Sequence, residues 1–115
     1  MKGLNLLEGS NIVLEFNGVV AQENSDTYNL LPVLDIFTLI DHLINMAYYK
    51  IIIHIPQMES QTTIEEWLIK QHPPMLIYLT IKSVEVTNII PKYAAYIGPR
   101  AIRFTQNKDI ERYLI

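Results

Sequence analysis

The sequence predicts an α/β domain built on a central mixed, mostly parallel sheet with flanking helices. Three observations point there. The run "KIIIHI" (50–55) is β-branched and nearly unbroken, the pattern of a strand buried on both faces. Segments with helical spacing precede and follow it, at 30–48 and from Thr62 or Thr63 to about Gln71. Strands separated by helices need crossovers, and crossovers make parallel neighbours. The order read along the chain is β-β-α-β-α-β-β-α, with "KIIIHI" in the middle of the sheet.

Each element has its own reason. In "NIVLEFNGVV" (11–20), Ile12, Leu14 and Phe16 alternate onto one face of a strand. Asn17-Gly18 inside it reads as a turn or bulge. "LNLL" (4–7) offers a partner strand across Glu8-Gly9-Ser10. In 30–48, Asp35, Thr38, Asp41, His42, Asn45 and Tyr49 make one polar stripe on an otherwise apolar helix capped at Asn29, with Pro32 in its first turn. So wide an apolar arc predicts burial on two sides, against the sheet and against a neighbouring helix or a second copy of the chain.

Pro56 ends the central strand, and His72-Pro73-Pro74 stops the helix that follows. Residues 75–91, "MLIYLTIKSVEV" and beyond, read as one or two strands, although a buried helix over 75–83 would carry the same letters. "KYAAYIG" (92–98) is a further strand, Gly98-Pro99 turns, and "AIRF" (101–104) alternates as an edge strand. "NKDIERYLI" closes as a short helix capped at Asn107, with Ile110, Tyr113 and Leu114 on one face.

Composition bounds the rest. The 115 residues, half of them hydrophobic and 18% charged, suit one globular domain spanning 1–115. There is no cysteine, which removes disulfides, thiolate catalysis and Cys-ligated zinc. A net charge of −3 argues against general nucleic-acid binding. The N-terminus has no signal-peptide pattern and the longest apolar segment is broken by Pro32, Asp35, Asp41, His42 and Asn45, so a soluble, cytoplasmic protein is expected. Charge is uneven: residues 92–115 carry net +3 and residues 1–91 net −6.

The chemistry-bearing residues are few. Ser60, Thr62 and Thr63 stand at a helix start, where unpaired backbone N–H groups cap onto a hydroxyl or favour a phosphate. The Thr62/Glu65 and Thr63/Glu66 pairs both have capping-box spacing. They are candidate helix caps or phosphorylation sites. Arg100 and Arg103 put two guanidinium groups beside a strand-end turn and form a candidate anion site. His54, within an apolar strand, reads as a structural histidine with one satisfied nitrogen. His42 with Asp35 and Asp41 reads as a solvated stripe. Trp67, Tyr93, Tyr96 and Tyr113 read as core or rim aromatics. No P-loop, GxGxxG, GxSxG or HExxH occurs, and no catalytic residue, metal or cofactor is assigned.

The element order, with "KYAAYIG", "AIRFTQN" and "KDIERYLI" closing the chain, resembles the STAS-like domains, which include the anti-sigma-factor antagonists and the sporulation-antagonist-like group. In that family a central strand ends in a short loop and a helix begins at an Asp-Ser pair whose Ser takes a phosphoryl group. The resemblance places Thr62 and Thr63 near that pair. The family's Asp-Ser-Ser-Gly run is absent here, no Gly follows, no carboxylate stands beside His54 in the sequence, and the link over 72–91 is long.

The function expected from this reading is a non-enzymatic regulatory or protein-interaction domain, STAS-like in type. It would bind a protein partner through the loop at 56–63 and the adjacent helix, and would self-associate as a homodimer. Two alternatives stand beside it. One is an immunity- or antitoxin-like inhibitor whose acidic body meets a basic partner. The other is a small anion- or nucleotide-binding enzyme using Arg100 and Arg103. No membrane association is expected.

Overall fold

The computed structural model describes residues 10–23 and 30–104. Five strands form one sheet: β1 (Asn11–Glu15), β2 (Lys50–His54), β3 (Val84–Thr87), β4 (Ala95–Ile97) and β5 (Ile102–Phe104), in the order β3-β2-β1-β4-β5. The first four are parallel to their neighbours and β5 runs antiparallel to β4. Three helices join them: α1 (Ile36–Asn45), α2 (Gln61–Gln71) and α3 (Met75–Thr80). This is the α/β class and the mixed, mostly parallel sheet that the sequence predicts. No helix among the described residues is long and apolar enough to cross a membrane.

Alternation along the strands assigns the two faces. Ile12 and Leu14 stand opposite Ile51 and Ile53, and Val84 and Val86 extend the row. These six side chains form one core with Ile36 and Ile40 of α1, Ile64 and Leu68 of α2, and Met75 of α3. All three helices therefore cover the same face. That follows from the order: β1 to β2 to β3 moves one way across the sheet, so successive crossovers stack on one side.

The opposite face carries Lys50, Glu85, Glu15, His54 and Tyr96, with only Val13 and Ile52 fully buried on it. No described helix covers it. Instead, the chain leaving β3 at the carboxyl edge must return to the other edge before β4 can run parallel. Residues 88–94 make that return as a strap without regular secondary structure. Ala94 N–H donates to Asn11 O, and Asn11 Nδ2 donates to Lys92 O, both at 2.8 Å, which fixes the lower end of the strap on β1.

Several boundaries differ from the sequence reading, each for a local reason. The strand predicted over 11–20 stops at Glu15, because Asn17 (φ −75, ψ 118) and Gly18 (φ 91, ψ −13) have the dihedrals of a type II turn. The helix predicted over 30–48 is only Ile36–Asn45. Upstream, Gln22 N–H bonds to Leu31 O and Val33 N–H to Val20 O, so residues 31–33 stay extended with Pro32 in a bridge to Ala21. The apolar arc of α1 is used on two sides: Ile36 and Ile40 enter the core while Phe37 packs beside Trp67 and stacks on His72.

Residues 75–91, read mainly as strand, divide into α3 and β3. Pro73 and Pro74 open a helix: Leu76 N–H bonds to Pro73 O and Ile77 N–H to Pro74 O, each at 3.1 Å. "KIIIHI" is an interior strand with partners on both sides, but the middle place belongs to β1, since β4 adds to the far side of β1. The strand predicted at 92–98 is reduced to Ala95–Ile97, and "AIRF" supplies the edge strand as expected. The strand predicted at 4–7 and the terminal helix from Asn107 lie outside the described residues.

Candidate functional site at the carboxyl edge of the sheet

The chain goes from β1 to one side, through β2 and β3, and then returns to the other side as β4. The junction of β1 and β4 is thus a topological switch point, where open α/β sheets place ligands outside the strand carboxyl ends. Glu15 ends β1 there. Its register partner on β2 is His54, and Nδ1 of His54 lies 2.9 Å from Oε1 of Glu15. An ionised carboxylate only accepts, so the ring nitrogen donates. The carboxylate missing beside His54 in the sequence comes from the neighbouring strand.

Next to this pair is an open cavity of about 430 Å³, lined by Glu15, Ile90, Tyr93, Tyr96, Arg100 and Arg103 together with the Gly98–Ala101 turn. Tyr96 lies beside both Tyr93 and His54, with ring centroids at 5.7 and 6.3 Å. Tyr96 and Arg103 are directly opposed across β4 and β5 and so share a face. The structure therefore brings Arg100 and Arg103 to one wall, as the sequence suggested, but gives them different surroundings. Arg100 is clasped by Glu23, Nη1 to Oε1 at 3.0 Å and Nη2 to Oε2 at 3.3 Å. Arg103 has no ion pair among the described residues.

The turn after β4 is held down by the turn after β1. Gly18 has φ +91, and a Cβ built on it would stand 2.6 Å from Pro99 Cβ. Only glycine fits this contact, both for its dihedral and for space.

The second feature of this edge is the loop leaving β2. Pro56, Gln57, Met58, Glu59, Thr62 and Thr63 are exposed. Met58–Ser60 forms a 3₁₀ turn that runs directly into α2. The helix thus starts before either threonine: Ser60 takes the N-cap position without a side-chain hydrogen bond, and Thr62 and Thr63 sit within the first turn. Neither threonine caps the helix from the predicted start, and both are exposed. Gln61 instead turns back to the sheet, Nε2 donating to Val86 O at 2.8 Å. Asn88 N–H contacts Met58 Sδ at 3.4 Å, and Ile55 N–H bonds to Thr87 O at 3.0 Å. The loop is largely exposed, and one backbone and two side-chain bonds tie it to β3 and Asn88.

A polar cluster at the other side of the helical layer was not foreseen. Asp41 Oδ1 accepts from Tyr78 OH at 2.7 Å and from His72 Nε2 at 3.0 Å, and Asn45 Nδ2 donates to Tyr78 OH at 3.0 Å. Desolvation, with the hydrogen bond to Asp41, pushes the Tyr78 hydroxyl above its ordinary pKa. Asp41 thus pairs with His72, not with its chain neighbour His42, which is exposed. The cluster joins α1 to α3 and to His72, which ends α2. Among the described residues no group of three or more His, Asp or Glu side chains is placed to hold a metal ion.

No family model, no curated protein and no solved structure matches this chain.

Proposed function

We propose that the chain is a non-enzymatic protein-interaction domain of STAS-like type, which docks a protein partner on the carboxyl edge of its sheet through the 56–63 loop and the first turn of α2. The observation that carries this reading is the loop itself. Six side chains stand exposed on a loop tied to β3 by the Ile55 N–H and the Gln61 side chain, and to Asn88 by the Met58 sulfur. A surface ordered in advance loses little conformational entropy on binding. Met58 supplies an apolar contact at 40% exposure, and Thr62, Thr63 and Glu59 a polar rim. The STAS-like assignment is supported by the mixed sheet, by the helix launched just after β2, and by the antiparallel edge strand behind Gly98-Pro99.

Phosphorylation at Thr62 or Thr63 belongs to the same proposal. A phosphate there would lie at the positive end of the α2 dipole and be tolerated by the fold, while changing the charge of the docking surface. The test is a pair of variants, Met58→Glu and Thr63→Glu, compared with the parent for thermal stability and for recovery of the partner from the native host. Retained stability with lost recovery supports the reading; unchanged recovery from both variants removes the loop as the docking surface.

A further inference from the structure

We propose that the cavity at the β1–β4 junction is a binding site for a small aromatic carboxylate that carries a hydroxyl or amine at its other end. The inference does not rest on the protein-docking reading, which uses the opposite side of His54.

The cavity is large enough for a ligand of this size, and its polar groups lie on a diagonal: Tyr96 and Arg103 are register partners, while the row of Tyr96 meets β1 at Val13, two residues short of Glu15. Glu15 stands on β1, Tyr96 on β4 and Arg103 on β5, which are successive strands of the sheet. Adjacent strands are about 4.8 Å apart and residues about 3.3 Å apart along a strand, so the backbones of Glu15 and Arg103 are separated by roughly 12 Å on a diagonal, with Tyr96 on the strand between them. Each position demands a different group. Arg103 has no ion pair among the described residues, and a guanidinium recognises a carboxylate through two parallel N–H bonds. Tyr96 and Tyr93, with their rings 5.7 Å apart, and Ile90 offer planar and apolar surface.

Glu15 would repel an anion on its side of the cavity, which orients the ligand. The carboxylate end must lie at the β5 wall and the β1 end must be a hydrogen-bond donor. Glu15 is held for that role, since His54 occupies one of its oxygens at 2.9 Å and leaves the other to accept. Arg100 contributes less, because Glu23 already takes both its terminal nitrogens. The Gly18–Pro99 contact keeps the turn over the cavity in place without a ligand.

The test is a titration of 4-hydroxyphenylacetate into uniformly 15N-labelled full-length protein, followed by amide shifts. Saturable shifts centred on Tyr96, Gly98 and Arg103 are expected. Arg103→Gln, on an exposed edge strand, should weaken binding roughly tenfold or more, the value of a charge-assisted pair. Phenylacetate, lacking the donor, should bind more weakly than 4-hydroxyphenylacetate to the parent protein, and Glu15→Gln should narrow that difference. Inorganic phosphate, which has no ring, should not compete. The proposal is overturned if no saturable shift occurs up to about 10 mM, if shifts centre elsewhere, if Arg103→Gln leaves affinity unchanged, or if phosphate competes as well as the aromatic acid. Met58→Glu should leave this titration unchanged, so the cavity and the docking loop can fail independently.

Discussion

Glu15 and His54, 39 residues apart in the chain, meet at 2.9 Å across β1 and β2 at the carboxyl edge of the sheet. Each keeps only a quarter or less of its side chain exposed. The pair therefore locks the register of the two central strands on the face that no described helix covers. A double-mutant cycle of Glu15→Ala and His54→Phe should give a coupling of about 0.5–1.5 kcal/mol by chemical denaturation, the range for a partly exposed hydrogen bond. Additive single-variant effects would mean the two side chains are neighbours without being partners.

Gly18 is the residue whose replacement should cost most for least added volume. Its φ of +91 disfavours any side chain, and an added methyl would collide with Pro99 Cβ at 2.6 Å. Gly18→Ala should lower stability by roughly 1–3 kcal/mol. Adding Pro99→Gly should recover the steric part and leave the dihedral part. Equal melting temperatures for Gly18→Ala and the parent would show that this turn does not hold the β4–β5 connection.

Tyr78 provides a pH dependence whose sign follows from its surroundings. Burial, and then its hydrogen bond to Asp41, raise its pKa in the folded protein. A group with a raised folded pKa binds its proton more tightly when folded. The stabilisation is complete below the unfolded value near 10 and is lost as pH rises through the folded value. Denaturation midpoints should therefore fall above about pH 10, and Tyr78→Phe should flatten that part of the fall. An identical alkaline profile in the variant would assign the loss to other groups.

Thr62 and Thr63 test whether hydroxyls in the first turn of α2 are structural. Since neither caps the helix, Thr63→Ala should change stability by no more than about 0.5 kcal/mol. Thr63→Glu should be neutral or slightly stabilising, because the helix dipole favours a negative charge there by about 0.3–1 kcal/mol. Both values come from thermal or urea unfolding of the isolated protein. A loss well beyond this range in Thr63→Ala would show a structural bond through its hydroxyl.

Much of the sheet was legible because its strands are rich in β-branched residues and bounded by turn residues. "KIIIHI" carries four isoleucines in six residues, and Asn17-Gly18 and Gly98-Pro99 mark the turns that bound β1 and β4. Residues 75–80 were harder: Met, Leu, Ile, Tyr and Thr suit a helix or a strand, and Pro73-Pro74 closes one helix and opens the next. The site was legible only where it is local. Arg100 and Arg103 flank a single turn, so their shared wall follows from spacing. Glu15–His54 and Asp41–His72 join residues 39 and 31 apart, and those meetings depend on strand order and helix placement that no local pattern encodes.

The claim that the 56–63 loop is a docking surface is tested most directly by placing a photoreactive amino acid at position 62 and irradiating native host cells. A second protein carries the same residue at position 82, past the end of α3 and away from the loop. A docking loop gives one discrete cross-linked adduct from position 62, none from position 82, and loss of the first adduct when Met58→Glu is added. No adduct from position 62, or the same adducts from both positions, would contradict it.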